Sequence, residues 1–164
     1  MKRPGQLILV TIGFDIYWTL VVIFRERGLF LWLVLAILAF LKLSHRQRRY
    51  ALLLTVCGCA LDIVWVLTGL MTFNSEALLP LWMVALWLMF STVWTWLSSI
   101  STLSWNKLVL LATLGGPIAY AIGEHLGAIT FLMPVWQVFS LMLAGWLILM
   151  LFFHLLMRRT SCAP

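Results

Sequence analysis

Three carboxylic acids interrupt stretches that are otherwise apolar enough to cross a membrane: Asp15, Asp62 and Glu124. No Lys or Arg stands inside those stretches to neutralise them. A carboxylate at the bilayer centre costs about 2.5–3.5 kcal/mol even on a lenient insertion scale, so such residues face a protein interior or a wet cavity. Tyr120 adds a phenol, which seeks a hydrogen-bond partner when buried, and His125 adds an imidazole beside Glu124. Adjacent helical residues do not face each other, so Glu124 and His125 diverge. Two chemistries suit an acid without a cation nearby. One is a proton or substrate site; the other is a neutral, structural hydrogen bond between helices.

Familiar catalytic sets are missing from the sequence. Cys57, Cys59 and Cys162 form neither a CxxC pair nor a zinc spacing, and the three histidines join no Ser-His-Asp grouping. The expectation is therefore no metal, no cofactor and no enzyme of a recognisable class.

The elements that must position these residues follow from composition. The chain has 164 residues, 64% hydrophobic and only 10% charged, with a mean hydropathy of +1.08. Soluble domains carry about 25% charged residues, so most of this mass belongs in lipid. The reading is an all-α, polytopic membrane bundle forming a single domain over residues 1–164. Its six spans fall at about residues 7–24, 29–43, 50–73, 78–98, 108–127 and 133–157. The basic start followed by an apolar run imitates a signal peptide. Asp15 breaks that run and further spans follow, which favours an uncleaved first span.

Charge placement sets the orientation. With six spans, one side carries Lys2, Arg3, Lys42, Arg46, Arg48, Arg49, Lys107, Arg158 and Arg159, and the other only Arg25 and Arg27. That asymmetry predicts that both termini are cytoplasmic. The net charge of +6 is thus a topology signal, and no soluble surface is left to bind nucleic acid. Arg46, Arg48 and Arg49 form the densest basic patch, which reads either as an anionic-lipid contact or as the positive-inside signal alone.

Helical spacing puts Thr11, Asp15 and Thr19 on one face of the first span. It does the same for Thr55, Gly58, Asp62 and Trp65 in the third, and for Thr113, Gly116, Tyr120 and Glu124 in the fifth. These faces predict that the odd-numbered spans meet, with Asp15, Asp62, Tyr120, Glu124 and His125 as an intramembrane polar cluster. At 1.5 Å per residue, Asp62 and Tyr120 fall within about 2 Å of the same depth, which predicts hydrogen-bond reach between them. Pro117 has no N–H to offer the Thr113 carbonyl, so Gly115, Gly116 and Pro117 predict a kink or break in the fifth span and a cavity beside it. Ten tryptophans suit interfacial belts, with Trp82 and Trp136 at the outer face and Trp105 at the inner one. Trp87, Trp94 and Trp96 lie within the fourth span and suit either packing or the lining of a lipid-chain groove.

Three stretches carry a family resemblance: GCALDIVWVLTG from Gly58, PLWMVALWLMFSTVWTWL from Pro80 and GGPIAYAIGEHLGA from Gly115. Together they resemble a family of small bacterial inner-membrane proteins catalogued as domain of unknown function 2878. Asp62, Pro80, Trp82, Trp87, Phe90, Gly115, Gly116, Pro117, Tyr120, Gly123 and Gly127 occupy its recurring positions. The resemblance implies membrane lipids as partners. It also implies an accessory part in fatty-acyl-chain modification or envelope stress response, beside a lipid-modifying methyltransferase system. The residues themselves leave a second function open, a small proton-coupled secondary transporter or lipid transporter. The first three and last three spans show no inverted repeat, which such a carrier would favour.

The charge count is directly testable. Reporter fusions after Glu76 should read periplasmic and fusions after Lys107 cytoplasmic; the reverse result at either site ends the six-span reading.

Overall fold

A computed structural model describes residues 4–100 and 104–161, with side chains from Gly5 to Met157. Lys2, Arg3 and Cys162 lie outside the described residues. The order is α1 (Pro4–Phe24), a 3-10 turn (Arg25–Gly28), α2 (Leu29–Leu41), α3 (His45–Leu67), β1 (Met71–Phe73), α4 (Leu81–Ile100), α5 (Trp105–His125), β2 (Ile129–Phe131) and α6 (Val135–Ser161).

Among the described residues five helical segments are long and apolar enough to cross a membrane, with Gly5–Leu41 one continuous apolar stretch. Within it α2 has 13 residues, about 20 Å of helix against a hydrocarbon core of about 30 Å. The chain nevertheless turns back inside that stretch. Tyr17 and Trp32 would lie about 22 Å apart along one straight helix, yet the Tyr17 hydroxyl donates to the Trp32 carbonyl at 3.0 Å. Arg25, at φ 46°, takes the left-handed conformation at the reversal.

Contacts divide the chain into two units, Met1–Cys59 with Leu79–Ser101, and Ala60–Leu78 with Thr102–Pro164. Helix α3 runs from the first into the second. In the first unit α2 and α1 pack on α4. The Tyr17 ring stands edge-on to Trp32 at 6.0 Å, and the Trp32 indole N–H donates to the Arg25 carbonyl at 3.0 Å. Phe90 lies between Trp87 and Trp94, at 5.6 and 5.7 Å. Trp87 covers Gly58, where any Cβ would collide with the indole. Trp82, expected at the outer interface, is buried, whereas Trp136 is exposed. The difference follows from helix phase, since Trp82 shares the inward face of α4 with Ala85 and Leu86.

The start of α3 explains the basic patch. Ser44 and Gln47 form a capping box: Gln47 Oε1 accepts from the Ser44 N–H at 3.0 Å, and Ser44 Oγ accepts from the Gln47 N–H at 3.4 Å. Arg48 turns back to the end of α2, where a cation complements the helix dipole. Its guanidinium donates to the Leu43 carbonyl at 2.9 Å and to that of Leu41.

In the second unit α5 and α6 pack along their lengths. Two features depart from the expected all-helical chain. The third span ends at Leu67 and the fifth at His125, and each leads into a three-residue strand. The strands pair antiparallel, Thr72 opposite Thr130. Gly69 at φ 71° and Gly127 at φ 69° stop the two helices, a backbone state open to glycine at little steric cost. The ladder then pairs main-chain groups of the two segments that follow the helices.

Candidate functional site

The site is built on the C-terminal third of α3 and the matching part of α5. Asp62 is 0% exposed and Tyr120 6%. The Tyr120 hydroxyl donates a hydrogen bond to Asp62 Oδ1. Trp65, one turn beyond Asp62, stands edge-on to the Tyr120 ring at 5.4 Å and 89°. Trp65 in turn fits against α6, where a Cβ on Gly145 would come within 2.9 Å of its ring. Trp146, next along α6, lies over Gly116, and a Cβ there would collide with the indole. Two glycines thus admit two indoles, of which Trp65 lies against the phenol of the pair.

Pro117 is buried in α5, three residues before Tyr120. Helix α5 runs continuously through Gly115, Gly116 and Pro117, so the chain is not broken there. What proline removes is one donor, the N–H that the Thr113 carbonyl would otherwise receive. The Thr113 hydroxyl is also buried and has no hydrogen-bond partner among the described residues. Thr113 therefore offers a polar patch one turn below Gly116, two turns from Tyr120.

The remaining members of the expected cluster, Asp15, Glu124 and His125, are exposed. Asp15 is exposed on α1, because Tyr17 takes the inward face and residues two apart on a helix point to nearly opposite sides. Thr11 and Thr19, which share its face, bond to carbonyls of their own helix at 3.0 and 2.8 Å. Glu124 and His125 are exposed in the last turn of α5, where Tyr120 and Gly123 hold the inward positions. Arg46 and Arg49 are exposed, while Arg48 is engaged as the cap of α2. No group of three or more His, Cys, Asp or Glu residues arranged to hold a metal occurs among the described residues.

Sequence reasoning missed the indole-on-glycine contacts. The signal was present as Gly116 and Gly145 at helix-interior positions, but not which tryptophan each would receive.

Chemically, the pair is a carboxyl that accepts a hydrogen bond from a phenol, two groups that can each hold and give up a proton. Residues 7–152 match the model of a protein family of unknown function, DUF2878. The chain belongs to that family. The match reaches from α1 through most of α6, so the family pattern spans both units, well beyond the three stretches that first suggested it. No curated protein and no solved structure matches this DUF2878 chain.

The indole contact over Gly116 has a built-in control. Gly116→Ala must displace Trp146 and should lower stability by about 1–3 kcal/mol, as overpacking does. A Cβ on the adjacent Gly115 meets nothing within 4 Å, so Gly115→Ala should stay within about 0.5 kcal/mol. Thermal or denaturant unfolding in detergent checks both; equal effects would contradict the packing described.

Proposed function

We propose that the protein is a six-span inner-membrane accessory factor in fatty-acyl-chain modification or envelope stress response. In this reading both termini are cytoplasmic and the Asp62–Tyr120 pair is the working centre. The observation that carries it is the complete burial of the Asp62 carboxyl against a phenol within a membrane-spanning segment. Titratable groups at such depth are functional sites by default. A site inside the bilayer meets chiefly what resides there, namely acyl chains and the proteins that modify them. The uneven placement of Lys and Arg supports the orientation.

A second reading, a small proton-coupled carrier, draws on the same pair. A carboxyl with a phenol donor can bind and release a proton, and Pro117 leaves α5 one bond short three residues before Tyr120.

The two readings separate in a deletion strain complemented with wild type or with Asp62→Asn. Asparagine keeps an acceptor for the Tyr120 hydroxyl but cannot ionise, so the variant should insert and fold at wild-type levels. The deletion should alter acyl-chain composition, and Asp62→Asn should fail to restore it. An unchanged lipidome with altered sensitivity to solutes would reject the lipid reading and favour the carrier.

A further inference from the structure

The structure repeats itself in a way that comparison of the first and second halves of the chain does not reveal. Setting Gly69 on Gly127 shifts the sequence by 58 residues. In that register Thr55 meets Thr113, Gly58 meets Gly116, Thr72 meets Thr130 and Phe73 meets Phe131. Glycine at a helix end is common, so the single Gly match decides nothing. Burial is more demanding. Leu54 and Ala112, Thr55 and Thr113, Gly58 and Gly116, Asp62 and Tyr120, Trp65 and Gly123, Met71 and Ile129 are buried at both members of every pair.

The helix ends repeat bond for bond. Leu70 N–H donates to the Trp65 carbonyl at 2.9 Å, and Ala128 N–H to that of Gly123 at 2.9 Å. Gly69 N–H donates to the Val66 carbonyl at 3.1 Å, and Gly127 N–H to that of Glu124 at 2.9 Å. Each equivalent segment also receives an indole over its glycine, Trp87 on Gly58 and Trp146 on Gly116.

The contacts between the segments are reciprocal, which is the mark of a two-fold axis. Asn74 N–H donates to the Ala128 carbonyl at 3.1 Å, while Leu132 N–H donates to the Leu70 carbonyl at 3.1 Å. In the ladder Met71 lies opposite Phe131 and Phe73 opposite Ile129, so Thr72 faces its own equivalent, Thr130. The hydrogen bond between Asp62 and Tyr120 likewise joins one position to its own equivalent.

We infer that residues 60–73 and 118–131 are two copies of one helix–strand segment, packed around a two-fold axis that passes between Thr72 and Thr130 and between Asp62 and Tyr120. The repeat is parallel, both copies running the same way towards the ladder. An inverted three-plus-three comparison therefore cannot find it. At the axis one position carries an acid in the first copy and a phenol in the second, so a single carboxyl stands where a symmetric parent would place two identical side chains. Membrane proteins built from repeats hold their ligands at the interface between them, and this contact is such an interface.

Equivalence predicts that the two side chains can change places. Asp62→Tyr alone sets two phenols on the axis, and Tyr120→Asp alone sets two carboxyls there. Both single variants should lower the unfolding temperature of the purified full-length protein in detergent. The exchanged protein, carrying both substitutions, should recover at least half of the larger loss, and adding Trp65→Gly with Gly123→Trp should recover more. An exchanged protein no more stable than the worse single variant, or one that fails to fold where the singles fold, overturns the equivalence. The readout is stability, so it stands or falls apart from any assignment of function.

Discussion

One constraint governs the second unit: a carboxyl placed at membrane depth must be hydrogen-bonded within the protein. Leaving it to lipid costs several kcal/mol, whereas the bond that satisfies it contributes only about 0.6–2 kcal/mol across membrane helices. The imbalance makes the bond an organiser more than a source of stability. It fixes the relative depth of α3 and α5, because Asp62 Oδ1 and the Tyr120 hydroxyl must meet. With that depth fixed, Trp65 reaches the edge of the Tyr120 ring and the two glycine ends fall level, so that the strands can pair with Thr72 opposite Thr130.

Around this contact, close packing replaces the hydrophobic drive that lipid does not provide between helices. Large indoles settle on glycines at Gly58, Gly116 and Gly145. Each such contact brings a flat apolar surface against bare backbone, which gains dispersion energy over many atoms. In the first unit the same economy of polar groups recurs. The Tyr17 hydroxyl and the Trp32 indole N–H both find main-chain carbonyls. Arg48 covers the carbonyls that end α2.

Much of this was legible in the residues. Apolar length marked the helices, and the common depth and small-residue faces of α3 and α5 pointed to Asp62 with Tyr120. Other expectations failed for identifiable reasons. Asp15 shares an apparent polar face with Thr11 and Thr19, but both threonines satisfy themselves on their own helix, so they give that face no inward pull. The inward direction of α1 is set by Tyr17. The strands were hidden because three residues give too short an alternation to read; only the repeated Gly-x-x-Thr-Phe spacing carried the signal. Gly115, Gly116 and Pro117 suggested a kink or a break, and α5 runs on through all three, with Trp146 packed over Gly116.

The central claim is that the Asp62–Tyr120 bond couples α3 to α5, and a double-mutant cycle tests it most directly. Asp62→Ala removes the acceptor and Tyr120→Phe the donor, and neither puts in a side chain larger than the one it replaces. Unfolding free energies of the wild type, both single variants and the double variant, measured in one detergent or bicelle system, give the coupling. The account predicts about 0.6–2 kcal/mol, with the double variant less damaged than the two singles combined. Losses that simply add, to within about 0.3–0.5 kcal/mol, would show that the two side chains do not act together and would contradict the account.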